Sequence, residues 1–121
     1  MLIDDSEVSL MVAETLLLTD GYDVRTAMSV AEFDEAVRDF HPDIILTDVE
    51  MPEIGGPELC KRVKATPQTA TVPVVLYSTK EPDELAALAA ECGAEGYVCK
   101  ANRHDDLPKK LAEIWARLSG S

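Results

Sequence analysis

The chain has few cysteines and no long apolar run, and each shortage argues against a class of protein. Its three cysteines are an odd number without C-x-x-C spacing, so neither a disulfide framework nor a zinc site is indicated. No apolar segment approaches the roughly 20 residues of a membrane span. Met1 does not open the basic and then apolar pattern of a signal peptide. We therefore expect a cytoplasmic protein without membrane contact.

Basic residues are also scarce relative to acidic ones. Lys and Arg number 11 against 23 Asp and Glu, which gives a formal net charge of -12 at pH 7. The phosphates of a nucleic acid would repel such a chain, so direct binding to DNA or RNA is not expected. The charge instead favours cations and basic surfaces on partner proteins.

The remaining composition is that of one globular domain. With 121 residues, of which 46% are hydrophobic and 28% charged, the chain is long enough for one core and too short for two. We find no repeat, linker or low-complexity tract. Residues 1–121 are therefore interpreted as a single domain.

The segment 43–52 is the centre around which the chain is organised. Residues 44–46 are consecutive apolar positions rich in β-branched side chains, a pattern typical of a strand buried on both faces of a parallel sheet. Asp48 falls at the carboxyl end of this strand. Because ligands of open α/β sheets bind beyond the carboxyl ends of the strands, Asp48 is a candidate functional residue.

Strands and helices alternate along the chain. Strands are predicted at residues 1–3, 22–27, 44–46, 72–78 and 96–100. The helices between them are indicated by apolar residues at helical spacing, by a capping box at Ser29 and Glu32, and by Pro57 and Pro82 in first turns. Five such alternations predict a parallel sheet with helices on both faces.

Apolar residues at helical spacing characterise the first and last helices. In residues 6–20 they are Val8, Met11, Val12, Leu16 and Leu17. In the last helix they are Leu107, Leu111, Ile114, Trp115 and Leu118. Such a stripe normally faces the core.

Polar side chains stand where four of the predicted strands end, so they would converge on one edge of the sheet. They are Asp4, Asp5, Asp48, Ser78 and Lys100. Three carboxylates held together repel one another unless a hard cation neutralises them, and Mg²⁺ prefers oxygen ligands. A carboxylate nucleophile, a metal, a lysine and a hydroxyl are together the parts needed for phosphoryl transfer.

Several of these stretches together resemble the receiver domain of two-component response regulators, the family that includes the bacterial chemotaxis receiver. They are Asp4-Asp5, Asp48 with Met51-Pro52 and Gly56, residues 72–78 ending in Ser78, and residues 93–100 ending in Lys100. The match covers the whole chain. It implies a doubly wound α/β fold of the flavodoxin-like receiver type, with a five-stranded parallel sheet of order 2-1-3-4-5 and five flanking helices.

The resemblance also implies how the acidic residues act. Asp48 would accept a phosphoryl group from a histidine kinase or a phosphotransfer protein. Mg²⁺ would be held by Asp5, Asp48 and the backbone carbonyl of Glu50, with Asp4 acting through water. The chain would then be a signalling domain and not an enzyme, since it would catalyse only its own phosphoryl transfer and dephosphorylation.

Further residues would carry the signal and set its duration. Ser78 and Lys100 would contact the phosphoryl oxygens, and Tyr97 matches the aromatic switch whose ring turns inward when Ser78 moves. This would change the face of the fourth helix, fifth strand and last helix, which a downstream protein, an output domain or a second copy of the chain would read. Glu50 and Lys80 match the positions that flank the attacking water.

Several features depart from the family pattern. The first strand is a stub, which suggests a trimmed chain or a misassigned start. Ala101 replaces the usual proline, and we expect a trans Lys100–Ala101 peptide, because a cis bond there would cost roughly 2.5–4 kcal/mol. Nothing follows Ser121 in the sequence, so a lone receiver and a piece of a longer regulator are both open.

Two other functions are compatible with parts of the pattern. One is a binding module of the same fold that signals without phosphorylation, although this chain keeps the acidic pair and the acceptor. The other is a metal-dependent phosphohydrolase with Asp48 as nucleophile, similar to haloacid-dehalogenase-like enzymes. Those enzymes carry a second aspartate two residues on, where this chain has Glu50, and they need a cap that 121 residues scarcely allow.

Overall fold

Strands and helices alternate strictly in the computed structural model, which describes residues 1–51, 54–99 and 107–119. The strands are β1 (Leu2–Ile3), β2 (Thr26–Ala27), β3 (Ile45–Thr47), β4 (Val74–Ser78) and β5 (Gly96–Cys99). The helices are α1 (Glu7–Thr19), α2 (Val30–Asp39), α3 (Gly56–Ala65), α4 (Pro82–Cys92) and α5 (Leu107–Ser119). Lys100 and the Lys100–Ala101 peptide lie outside the described residues, so the predictions made for them stay predictions.

The five strands form one parallel sheet of order β2-β1-β3-β4-β5, which confirms the predicted fold. The register pairs Ile3 with Thr47, Thr47 with Leu76, and Ser78 with Cys99. The carboxyl ends of the central strands therefore lie side by side, and the loops that follow them share one edge of the sheet. We call this the carboxyl edge, and the opposite side, where the strands begin, the amino edge.

Alternation along the strands divides the core into two layers. Leu2, Leu46 and Val75 point to the side covered by α1 and α5. Their neighbours Ile3 and Ile45 point to the side covered by α2, α3 and α4. Both faces of the sheet are thus buried, which is why its strands are continuous apolar runs.

Side chains cap the starts of α1 and α2, and the capping box of α2 was predicted from the sequence. Ser6 caps α1 by accepting a hydrogen bond from the amide of Ser9 at 3.3 Å, and Ser29 caps α2 by accepting one from Glu32 at 3.1 Å. The Glu32 carboxylate accepts from the amide of Met28, one residue before the cap, at 2.9 Å. The side chains of Ser29 and Glu32 therefore accept from backbone amides on both sides of the N-cap of α2.

The buried face of α1 differs from the apolar spacing noted in the sequence. Its buried residues are Leu10, Ala13 and Leu17. The exposed apolar residues of the helix are Val8, Met11, Val12 and Leu18, at 72%, 59%, 38% and 51%. Because α1 is apolar on almost every side, periodicity alone does not identify the face that packs on the sheet.

The last helix shows a smaller difference of the same kind. Leu107, Leu111 and Ile114 are buried, as the stripe predicts. Trp115 and Leu118 remain 41% and 38% exposed. The apolar stripe of α5 is therefore wider than the surface that the sheet and α1 cover.

The second strand is shorter than the predicted 22–27. Its ladder consists of Leu2 with Thr26 and Ile3 with Ala27, because β1 offers only two residues to pair with. The ladder that defines β2 therefore ends where β1 ends. None of the helices in the described part of the chain is both long and apolar enough to cross a bilayer.

Candidate functional site

Three carboxylates meet at the carboxyl edge, as the strand ends predict. Oxygen atoms of Asp4, Asp5 and Asp48 all lie within 4.8 Å of one another. The sheet places them there, since Asp4 follows β1 and Asp48 follows β3. The amide of Asp48 donates to the carbonyl of Ile3 at 3.1 Å, which fixes the two strand ends at the same height.

The three carboxylates differ in their exposure to solvent. Asp4 is only 4% exposed, and its Oδ1 accepts a hydrogen bond from the amide of Ser6 at 2.9 Å. Asp48 is half-buried, and its Oδ1 accepts from the amide of Val49 at 2.8 Å. Asp5 is exposed. The cluster is thus anchored on its inner side and open to water on its outer side.

This donor set fits a hard divalent cation. All three side chains offer carboxylate oxygens, the ligands that Mg²⁺ prefers, and the open side leaves room for the waters that it keeps. Holding Asp4 charged in a buried position is costly unless hydrogen bonds or a cation compensate it. Asp4, Asp5 and Asp48 thus lie together as expected from the sequence, while their separate roles in binding Mg²⁺, and that of the Glu50 carbonyl, stay predictions.

Gly56 shapes the loop that follows Asp48. Its amide donates to the carbonyl of Val49 at 2.8 Å. A Cβ atom at this position would lie 2.3 Å from the carbonyl oxygen of Asp48 and 3.0 Å from the Cα of Val49. Only glycine lets the start of α3 approach the end of β3 this closely, and so the glycine helps to define the backbone around the candidate acceptor.

Ser78 stands at the carboxyl end of β4, as predicted. It is 4% exposed, and its Oγ accepts a hydrogen bond from the amide of Lys80 at 3.3 Å. This bond holds the hydroxyl against the first residues of the β4–α4 loop. A ligand that attracted the Ser78 hydroxyl would therefore also pull on the loop.

An ion pair joins the loops after β3 and β4. Lys80 Nζ lies 2.8 Å from Glu50 Oε1 and 3.8 Å from Glu84 Oε2. The hydrogen bond and charge of Lys80 hold the pKa of Glu50 below its usual value, and the pKa of Lys80 is raised in return. The two side chains that the sequence marks as modulating residues are thus in contact, while their effect on hydrolysis stays a prediction.

Cys99 makes a contact that reasoning from the sequence missed. Its Sγ donates to the carbonyl of Lys80 at 3.1 Å, which ties the end of β5 to the β4–α4 loop. The sequence argued only against a disulfide framework or a zinc site for the three cysteines and predicted no contact for Cys99. Tyr97 is 38% exposed on the same strand, and its role as a switch stays a prediction.

The strand order and the acidic carboxyl edge define a flavodoxin-like receiver fold, and comparison with known proteins identifies the family. The model of the response regulator receiver domain matches residues 1–112. The chain belongs to this family, which confirms the resemblance drawn from its sequence.

Individual relatives show the same likeness. Protein PilG of Pseudomonas aeruginosa is 33% identical over 107 residues, covering 88% of this chain and 79% of PilG. The gliding motility regulatory protein of Myxococcus xanthus is 33% identical over 100 residues, which are 83% of this chain but 13% of that protein. The chain thus spans most of one relative and a small part of the other.

A solved structure shows the same fold. The chemotaxis response regulator CheY4 of Vibrio cholerae superposes with a TM-score of 0.82 at 27% identity. The superposition covers 93% of this chain and 94% of that one.

Proposed function

We propose that this receiver domain is a phosphorylation-dependent switch that accepts a phosphoryl group on Asp48 from a histidine kinase or a phosphotransfer protein. The observation that carries the proposal is the cluster of Asp4, Asp5 and Asp48 oxygens within 4.8 Å. Asp48 belongs to this cluster and ends the central strand, so its carboxylate is presented to a donor at the carboxyl edge. A nucleophile beside a cation site is the arrangement that phosphoryl transfer requires.

The acidic residues have separate tasks in this proposal. Asp5, Asp48 and the backbone carbonyl of Glu50 would hold Mg²⁺, and Asp4 would act through water. When bound, the ion supplies positive charge that offsets the charge of the carboxylates and of the phosphoryl oxygens. Asp48 attacks phosphorus, the bond to the donor nitrogen breaks, and an acyl phosphate forms on the carboxylate.

The signal would leave the site through Ser78. Its hydroxyl would donate to a phosphoryl oxygen, with Lys100 contacting another, and the pull on Ser78 would be transmitted to the β4–α4 loop through its bond with Lys80. Tyr97 would then turn inward. A groove of about 490 Å³ between α4, β5 and α5 is lined by Tyr97, Ala89 and Ile114, and this face would change its shape.

The proposed switch also implies a partner, a cellular location and a limited catalytic scope. The face of α4, β5 and α5 would bind a downstream protein, an output domain or a second copy of the chain. The net charge of -12 disfavours direct contact with nucleic acid. A histidine-kinase donor implies action in the cytoplasm, and the chain would catalyse only its own phosphoryl transfer and dephosphorylation.

Intact-mass measurement after incubation with acetyl phosphate tests the proposal. With Mg²⁺ present, we expect one phosphoryl group per chain, and with the metal chelated we expect little or none. Repeated turnover of an unrelated phosphate ester without stoichiometric labelling would indicate a phosphohydrolase instead. No labelling at any Mg²⁺ concentration would favour the phosphorylation-independent binding module.

A further inference from the structure

Tyr77 interrupts the aliphatic run of β4 one residue before Ser78. The residues before it in β4 are Val74, Val75 and Leu76, and all are fully buried. Tyr77 is itself only 5% exposed, although a phenol hydroxyl is costly to bury without a polar partner. Its position directly before Ser78 gave no reason to single it out in the sequence.

The pleat of the sheet directs Tyr77 toward the acidic cluster. Side chains alternate along strands, so Tyr77 shares a face with Val75. The same alternation places Asp4 on the face of Leu2 and Asp48 on the face of Leu46. All of these lie on the side covered by α1 and α5.

The shared face brings Tyr77 to the same small space as the acidic cluster. Tyr77, Asp4, Asp48 and Ser9 line one crevice between α1 and the strand ends, with a volume of about 10 Å³. Such a space holds no more than about one water molecule. Little solvent therefore separates the tyrosine from the buried side of the cluster.

The electrostatics agree with this placement. Burial and then the charge of Asp4 raise the pKa of Tyr77 to about 12. A phenol hydroxyl is a hydrogen-bond donor, and here it lies on the same side of the sheet as a carboxylate that is 4% exposed. A neutral donor suits this position, because it compensates a buried negative charge without competing as a cation.

We propose that Tyr77 is a positioning residue for the metal site, acting through Asp4 to hold that buried carboxylate oriented toward Asp5 and Asp48. The proposal rests on the Mg²⁺ site of the proposed function. Tyr77 does not contact the cation itself in this account. Because Tyr77 already holds the Asp4 side chain in place, less conformational entropy of Asp4 is lost when a cation binds.

Calorimetric titration of the metal-free protein with MgCl₂ tests this role without any phosphoryl donor. Tyr77→Phe removes the hydroxyl and keeps the ring. We expect its Kd for Mg²⁺ to rise about threefold to tenfold, the range that corresponds to one hydrogen bond of ordinary net strength. Tyr22→Phe, at the amino edge of the sheet, is the matched control and should leave the Kd unchanged.

A second measurement separates positioning from a general loss of stability. In metal-free Tyr77→Phe, the side-chain carboxylate resonance of Asp4 should shift, while that of Asp23 at the amino edge should not. Urea unfolding of the same samples shows whether the fold is retained. A structural role alone would lower the free energy of unfolding and leave both the Asp4 resonance and the Kd unchanged.

The outcomes distinguish this inference from the function on which it rests. If the unmodified protein binds Mg²⁺ and Tyr77→Phe binds it equally well or more tightly, the role of Tyr77 is wrong and the metal site stands. An equal loss of affinity in Tyr22→Phe would also overturn it. If the unmodified protein does not bind Mg²⁺, the metal site itself fails, and this inference fails with it.

Discussion

Both edges of the sheet carry acidic residues, but among the described residues only the carboxyl edge brings three carboxylates together. At the carboxyl edge, Asp4, Asp5 and Asp48 bring their oxygens within 4.8 Å. At the amino edge, Asp23 and Asp43 line an open cavity of about 350 Å³ together with Trp115, and both are exposed. Acidity alone is therefore not what distinguishes a functional edge.

The difference lies in how each edge compensates its charges. At the carboxyl edge a backbone amide bonds the buried Asp4, and the remaining negative charge is concentrated where a cation can neutralise it. At the amino edge the amino group of Met1 donates to the carbonyl of Ile44 at 3.2 Å. Burial lowers its pKa to about 6, despite the opposing charges of Asp23 and Asp43, so at pH 7 this group is mostly uncharged and compensates the two exposed carboxylates little.

The largest expected effect is the loss of stability in Gly56→Ala, which adds a methyl group at the carboxyl edge. Gly56→Ala would place a Cβ 2.3 Å from the carbonyl oxygen of Asp48, which forces the loop and β3 apart. We expect a loss of about 2–3 kcal/mol in the free energy of unfolding, together with reduced labelling of Asp48. Urea denaturation and intact mass measure the two effects.

Gly93 provides the comparison at the amino edge. It has a φ of 83°, and among the described residues no heavy atom lies within 4 Å of a Cβ built there. Gly93→Ala should cost about 1–2 kcal/mol through backbone strain and leave labelling intact. Equal labelling of the two variants would mean that the close approach at Gly56 does not matter for the site.

The next prediction concerns cation binding at the two edges. Asp4→Asn removes one charge from the cluster, so the Kd for Mg²⁺ should rise by about tenfold or more, a change of at least about 1.4 kcal/mol. Asp43→Asn removes the same charge at the amino edge and should have no effect. Calorimetry compares the two variants, and equal affinities would remove the distinction between the edges.

We expect the tyrosines at the two edges to ionise at different alkaline pH values. The pKa of Tyr77 is raised from 10.0 to about 12, so between these pH values the unfolded chain has released a proton that the folded chain still holds. The free energy of unfolding should therefore fall as the pH rises from 10 toward 12. Below that range the tyrosine is protonated in both states, so this group makes stability no more dependent on pH. Burial also raises the pKa of Tyr22 at the amino edge, but less. Phenolate absorbance in metal-free protein should therefore show that the last tyrosine to ionise is lost in Tyr77→Phe and kept in Tyr22→Phe.

The smallest expected effect is on the lifetime of the phosphoryl group. Glu50 and Lys80 form an ion pair of 2.8 Å across the loops of the carboxyl edge, where it would hinder an attacking water. Glu50→Ala and Lys80→Ala should each speed loss of phosphate by up to about tenfold. Decay of the acyl phosphate after removal of the donor measures this, with Glu81→Ala as control, and unchanged or slower decay in both variants would contradict screening.

The strand order and the positions of Asp4, Asp48 and Ser78 could be predicted from the sequence. Buried parallel strands read as apolar runs, and a polar residue directly after such a run is a strong marker of the carboxyl edge. The resemblance to receivers then gave the order in which the strands lie. These features depend on local pattern and chain order, which are present in the sequence.

Contacts that depend on which face of a helix or strand is buried could not be predicted in the same way. The buried face of α1 was ambiguous because Val8, Met11 and Val12 are as apolar as Leu10. The approach of Tyr77 to Asp4 requires the pleat direction of two strands that are far apart in sequence. It became visible only when the register of the sheet was known.

Asp48 at the carboxyl edge is the phosphoryl acceptor in the proposed function. Intact mass after incubation with acetyl phosphate and Mg²⁺ shows whether it is, with Asp48→Asn compared with Asp23→Asn at the amino edge. We expect that Asp48→Asn gains no phosphoryl mass and that Asp23→Asn is labelled like the unmodified chain. A phosphoryl mass on Asp48→Asn would mean that another residue accepts the group.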